Sequence, residues 1–339
     1  MRTRPRPEAM LVMDARAFGM QFGPTELARL DDLAATGELA YVDELDSAAA
    51  RRRLREVEVL ITSWGAPGLT EERLADAPRL RAVFHSAGSV RHLVSEELWR
   101  RDILVTTAAT ANAVAVAEFT LAAIIFAGKK APFLAADARS HRDSWGYVDA
   151  RGSLTNRGRV VGIVGFSRVG RQVVDRLAAL EVADVLVYDP VVPADEIRAA
   201  GGTPVALAEL LAAADIVSLH APALAESRRM IGAAELALLP AGATLINTAR
   251  GQLVDTPALE RECATGRINA MLDVTDPEPL PASSVLYDLP NVMITPHIAG
   301  SLGSETQRMV QSALGELERY VDGLPPLDPV ARRTLGVSA

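Results

Sequence analysis

Three short motifs in the second half of the chain each place a reactive side chain just after an apolar run. Asn247-Thr248-Ala249-Arg250-Gly251 offers a guanidinium, and Leu272-Asp273-Val274-Thr275-Asp276-Pro277-Glu278-Pro279 offers carboxylates. Ile294-Thr295-Pro296-His297 offers an imidazole. If the apolar runs are strands of one parallel sheet, their C-terminal ends open on a common crevice. A cation, a carboxylate and an imidazole gathered there suit the reduction of a carbonyl. Hydride addition builds negative charge on oxygen, which a guanidinium stabilises and an imidazolium neutralises by proton transfer. A neighbouring carboxylate holds the ring in orientation and favours its charged form. Asp276 and Glu278 are rivals for that last role.

The element that must position such chemistry runs from Arg159 to Pro190. Val160-Val161-Gly162-Ile163-Val164 has the composition of a strand buried on both faces. It ends in Gly165-Phe166-Ser167-Arg168-Val169-Gly170, a near match to the dinucleotide fingerprint. Val169, Val173, Leu177 and Leu180 then follow at helical spacing, and Val185-Leu186-Val187-Tyr188 reads as a second buried strand ending at Asp189. Gly165 permits the tight turn, Gly170 lets helix and strand pack closely, and the helix N-terminus offers free N–H groups to a pyrophosphate. Asp189 follows Gly170 by about twenty residues, where an acid grips the adenosine ribose and repels a 2′-phosphate, so NAD is expected rather than NADP. Ser167 stands where the second glycine of the fingerprint belongs, and its hydroxyl can either weaken cofactor binding or add a phosphate contact.

Length allows two domains: 339 residues, 49% hydrophobic and 23% charged, the balance of a soluble globular protein. A net charge of −8 argues against nucleic-acid or anionic-membrane partners. Cys263 is the single cysteine, which fits a reducing cytoplasm. Arg2, Arg4 and Arg6 mark Met1 to Met10 as a loose tail with no secretory signal. Arg51-Arg52-Arg53 and Arg55 read as the wet face of a helix. Ala113 to Gly128, interrupted by Glu118, reads as a core helix too short to span a bilayer.

Further strands are expected at Met10–Met13, Val57–Ile61, Ala82–Phe84, Ile103–Val105, Ile216–Leu219, Thr244–Asn247, Ala270–Leu272 and Val292–Ile294. The fold class is α/β, with doubly wound parallel sheets. Loops at Ser63-Trp64-Gly65-Ala66-Pro67 and Ser86-Ala87-Gly88-Ser89 open where ligands of such sheets lie. A last helix from about Gly303 to Asp322 comes after the second unit is complete, so it returns to the first domain. Beyond Leu324-Pro325-Pro326 the tail is expected to be loose. His85, His92 and His141 show no metal-binding pattern.

These motifs together resemble the NAD-dependent D-2-hydroxyacid dehydrogenases. The likeness is carried by Val-Gly-Ile-Val-Gly, Tyr188-Asp189-Pro190, Leu219-His220-Ala221-Pro222, Asn247 through Gly251, Asp273 through Pro279, and Thr295-Pro296-His297-Ile298-Ala299-Gly300. It is specific from about Asn112 to Gly303 and faint before. The resemblance implies two Rossmann-like domains, 1–107 with 299–339 for substrate and 108–298 for NAD, with the active site in the cleft between them. It implies Arg250 on the substrate carboxylate, His297 as general acid and base, and Glu278 as its partner. The cofactor would lie along Gly165, Ser167, Arg168, Val169 and Gly170, with Asp189, His220, Pro222, Thr248, Ala249, Arg250, Asp273, His297 and Gly300 completing its site. Asp273 would accept from the nicotinamide carboxamide. Trp64, Gly65, Ser86, Ala87 and Gly88 would line the substrate pocket with Arg250, although the family's Asp-Asn or Asp-His is replaced here by Val90-Arg91-His92. Arg91 reads as opening a solvated helix; if it reaches the cleft, a substrate with a second acidic group follows.

The leading expectation is an oxidoreductase acting on a small (R)-2-hydroxy acid or 2-oxo acid, such as glyoxylate or hydroxypyruvate. The resemblance also admits a phosphite- or formate-type dehydrogenase, though formate enzymes pair the histidine with glutamine, and an NADH-sensing corepressor-like scaffold. It implies a homodimer through the long helix and an arm at Ala131 to Tyr147, with Trp145 as anchor.

Overall fold

The computed structural model describes residues 6–332 and 335. It divides into two compact units: residues up to Asn112 together with those from Ser301 onward, and residues Ala113–Gly300.

The first unit holds a five-stranded sheet of β1 (Ala9–Val12), β2 (Tyr41–Val42), β3 (Val59–Thr62), β4 (Ala82–His85) and β5 (Leu104–Thr107) in the order β2-β1-β3-β4-β5. All pairings are parallel. Alternate residues of β1 serve opposite faces: Met10 and Val12 join one apolar cluster, Ala9 and Leu11 the other. Both faces are covered, so the strands are mostly apolar on both sides rather than alternating, with Thr62, His85, Thr106 and Thr107 as buried polar residues at their carboxyl ends. The helix Thr306–Val321 belongs to this unit, laying Val310, Ala313, Leu314, Leu317 and Val321 against Ala9, Leu11 and Phe84. That spacing of three and four gives one continuous apolar stripe.

Three expectations for this unit change. Arg53 is not on a wet face: it is buried, bonded to Glu8 at 2.8 Å and to the carbonyls of Ala9, Ala35 and Thr36. Residues near the start are tied down from Arg6 onward, whose guanidinium donates to Ala34 O at 2.7 Å, while Arg2 and Arg4 lie outside the described residues. The described residues past Pro326 are held too. Leu327 and Asp328 donate their N–H groups to the buried Glu316 carboxylate, and Val330 N donates to Val105 O.

The second unit holds a seven-stranded sheet of β6 (Val160–Val164), β7 (Asp184–Tyr188), β8 (Thr203–Pro204), β9 (Ile216–Leu219), β10 (Thr244–Asn247), β11 (Asn269–Leu272) and β12 (Val292–Ile294). Its order is β12-β11-β10-β9-β6-β7-β8, again parallel at every pairing. The order reverses beside β6, which makes the carboxyl end of β6 the switch point of the sheet. The helix Ala109–Lys129 is long and apolar enough by length and composition to cross a bilayer, contrary to the expectation that it was too short. Its burial makes it a core helix: Ala117, Ala123, Ile124 and Ala127 pack with Val161, Ile163 and Phe166. The larger of these side chains, Ile124, Val161, Ile163 and Phe166, contribute about 1.5–3 kcal/mol each on burial.

Candidate active site

At the end of β6 the chain turns sharply at Gly165, with φ +98°. A Cβ there would stand 2.5 Å from Ala221 N, so only glycine permits the approach of the His220–Ala221 backbone. Gly170, in the first turn of the helix Arg168–Leu177, packs on the carbonyl of Gly165. Asp189 braces this turn from the end of β7: Oδ2 accepts from Phe166 N at 2.7 Å, and Oδ1 from Val191 N and Val192 N at 2.9 Å each. Ser167 has φ −71° and ψ −173°, extended backbone open to any residue, and its side chain makes no capping bond to the helix. The glycine of the fingerprint is therefore not needed there for backbone reasons. Arg171 lies over the Phe166 ring at 4.4 Å and pairs with Glu196.

His220 follows β9 and is buried, with Nε2 bonded to Ser218 Oγ at 2.9 Å. Burial pushes its pKa down to about 3, so the ring is neutral.

Arg250 stands on a loop that its neighbours hold rigid. Asn247 Nδ2 donates to Arg250 O at 2.9 Å, and Ala249 N donates to Asn247 Oδ1 at 3.1 Å. Thr248 is tied to Thr120 of the long helix by a 2.9 Å bond between buried hydroxyls. The guanidinium is exposed and donates to Ala249 O. Gly251 then lets this loop press against the next: a Cβ would lie 1.9 Å from Thr275 O. That contact brings the Arg250 loop onto the segment leading to Glu278.

Glu278 and His297 meet directly, with Oε1 2.6 Å from Nδ1 and both side chains about half exposed. The rival acid is engaged elsewhere, since Asp276 Oδ2 faces Arg228 at 3.6 Å. His297 has φ +54°, a left-handed conformation that costs a non-glycine residue about 1 kcal/mol or more. Such strain is most often found at functional positions. Beside the pair a cavity of about 340 Å³ is lined by Asp273, Thr275, Glu278, Tyr287, Thr295 and His297 among others. Among the described residues, no cluster of three or more His, Cys, Asp or Glu suits a metal ion.

In the first unit the loops that follow β3 and β4 have their own geometry. Ser86 is fully buried, its hydroxyl donating to Gln21 Oε1 at 2.7 Å and Thr62 O at 3.1 Å, and its N–H to Thr62 O. Its side chain thus serves the core of that unit. Ala87 is buried as well, and Gly88 is half-buried. Trp64 is partly buried against the unit's core, and Gly65 (φ +76°) abuts Asp14. Gln21, Thr120 and the bracing role of Asn247 gave no sequence signal, because each acts through a contact with residues remote in the chain or through loop geometry.

Residues 122–299 match the family model described as D-isomer specific 2-hydroxyacid dehydrogenase, NAD binding domain. The chain belongs to this family. It is 32% identical to the D-3-phosphoglycerate dehydrogenase of Mycobacterium bovis over 289 residues, 85% of this chain and 53% of that protein. It is 37% identical to the (S)-sulfolactate dehydrogenase of Chromohalobacter salexigens over 242 residues, 70% of this chain and 76% of the other. The chain thus spans about half the length of the D-3-phosphoglycerate dehydrogenase relative it matches. Among solved structures, a phosphoglycerate oxidoreductase from Rhizobium etli superposes with a TM-score of 0.82 at 25% identity, covering 97% of this chain and 100% of that one. The cofactor of this domain is NAD. The residues fit it: the glycine cradle at Gly165 leaves no room for a Cβ, the helix Arg168–Leu177 presents its N-terminus, and the Asp189 carboxylate stands at the end of β7.

Proposed function

We propose that the protein is an NAD-dependent oxidoreductase that interconverts a small 2-oxo acid and its (R)-2-hydroxy acid. The observation that carries this reading is the Glu278–His297 pair at 2.6 Å, beside the loop that presents Arg250. NADH, when bound, supplies the hydride. Arg250 binds the substrate carboxylate and stabilises the charge that grows on the 2-oxo oxygen. Because Nδ1 of His297 faces Glu278, Nε2 is the atom that hands a proton to that oxygen and takes it back in oxidation. Glu278 fixes the tautomer and the ring plane. Asp189, with its negative charge at the ribose end, favours NAD over NADP.

The names of two relatives carry a second anionic group, a phosphate or a sulfonate. Steady-state assays with NADH should therefore cover glyoxylate, hydroxypyruvate and 2-oxo acids bearing a phosphate or sulfonate. Turnover of at least one, with NADPH a much poorer donor, is the expected result; no turnover of any by pure protein would remove the reading.

We further propose a homodimer. Trp145, 79% exposed, and Phe126, 52% exposed, are apolar groups left uncovered in and after the long helix. Light scattering at micromolar concentration should give twice the mass of the chain, and a monomeric mass would refute the dimer.

A further inference from the structure

Asp273, the residue after β11, is only 4% exposed, and its carboxylate is already engaged. Oδ1 accepts from Thr295 Oγ1 at 2.6 Å and from Ile298 N at 2.8 Å, and Oδ2 accepts from Ala299 N at 2.8 Å. Its backbone carbonyl accepts from His297 N at 3.0 Å. One residue therefore grips the chain on both sides of His297, which is the residue held at φ +54°. A carboxylate offers about four lone-pair sites, so the three donors of this loop take most of them.

We propose that Asp273 is the positioning residue of His297: its carboxylate clamps residues 295–299 so that the left-handed backbone of His297 is maintained and the imidazole is kept on Glu278. The inference rests on the reading of His297 as the proton donor. The physical logic is that a strained conformer persists only where its surroundings over-determine it. Hydrogen bonds to a charged acceptor are stronger than neutral ones, and three of them together exceed the strain of one left-handed residue. A role confined to the nicotinamide carboxamide would not explain why three donors from the His297 loop converge on this one carboxylate.

Asp273→Asn tests the clamp with little change of shape. The amide nitrogen cannot accept, so at least one of the three bonds is lost and an N–H is set against an N–H. The expected result is a fall in kcat of about 10- to 100-fold, with the Kd for NADH, read by its fluorescence, within about twofold of the parent. A change confined to NADH affinity would overturn the proposal and leave Asp273 as a cofactor ligand. The double variant with Glu278→Gln should lose little beyond Glu278→Gln alone, because both act through one imidazole; multiplicative losses would mean independent roles. Thr295→Val, which removes one donor and leaves Asp273 untouched, should reproduce a smaller loss in kcat and guards against a misfolded Asp273→Asn.

One readout needs no substrate. With ¹⁵N-labelled histidine, the Nδ1 shift of His297, assigned by its loss in His297→Asn, should move in Asp273→Asn toward its value in Glu278→Gln. An unmoved shift sinks the clamp even if the parent enzyme reduces every acid tried. A moved shift in a protein that reduces none of them leaves the clamp standing and removes only the catalytic reading.

Discussion

His297→Asn should lower kcat by about 10²–10⁴-fold, the range for removal of a positioned general acid, while the Kd for NADH stays within about twofold. Asparagine is the informative replacement. It tolerates the left-handed backbone that His297 adopts at φ +54°, so the loop need not rearrange. Its amide nitrogen can still donate to Glu278 in place of Nδ1, which keeps that carboxylate paired. What it lacks is a group at the position of Nε2 that can give up a proton. The loss should therefore appear in kcat, with substrate KM little changed, because Arg250 and the cofactor cradle are untouched. A fall of less than tenfold would mean that another group protonates the product oxygen, and the Glu278–His297 pair would then be structural.

Much of this arrangement is legible in the sequence. β6, β9, β10 and β12 fall where their apolar, β-branched runs place them, because strands of a sheet covered by helices on both faces are predominantly apolar. β2 and β8 are two-residue edge strands, and Tyr41-Val42 and Thr203-Pro204 are too short to show a period. The reactive residues are readable because each stands at a strand end in a punctuated motif. What holds them is not readable in the same way. Asp189 and Asp273 stand where ligand contacts are expected, and in the fold their carboxylates also accept backbone N–H groups from neighbouring loops. Those partners are fixed only by tertiary approach. Arg53 illustrates the same point: its neighbours in sequence are solvated arginines, and only the packing of the Ala48–Leu54 helix turns it inward onto three carbonyls. Ser86 likewise lies in a loop expected to line the substrate pocket, and only the fold shows that its hydroxyl is taken up by Gln21.

Acid should destabilise the protein well before its carboxylates are titrated, and two buried histidines are the reason. His85 in the first unit shares a hydrogen bond between Nδ1 and Thr62 Oγ1 (2.9 Å), has the Ser89 backbone as a weaker contact that opposes the downward shift, and has the His92 ring 6.2 Å away. His220 in the second unit is paired at Nε2 with Ser218 and leaves Nδ1 without a partner. Burial drives both down from 6.5 to about 3, with the nearby His92 adding to the effect at His85. The folded-state value lies below the unfolded one, so the unfolded chain binds protons that the folded chain refuses. Above about pH 6.5 both states are neutral at these rings and the stability is fully present; it is lost progressively as pH falls toward 3. Each unit of pH costs up to about 1.4 kcal/mol per histidine, so the fall from pH 6.5 to pH 5 removes up to about 2 kcal/mol for each. Urea midpoints measured across that range should drop steeply for the parent chain. His85→Asn and His220→Asn should each flatten the slope, even where the substitution lowers the midpoint at pH 7.5, because neither amide titrates. Since the two rings lie in different units, the two flattenings should add within about 0.5 kcal/mol. Slopes unchanged by both substitutions would show that the imidazoles are hydrated in solution and that acid acts on other groups.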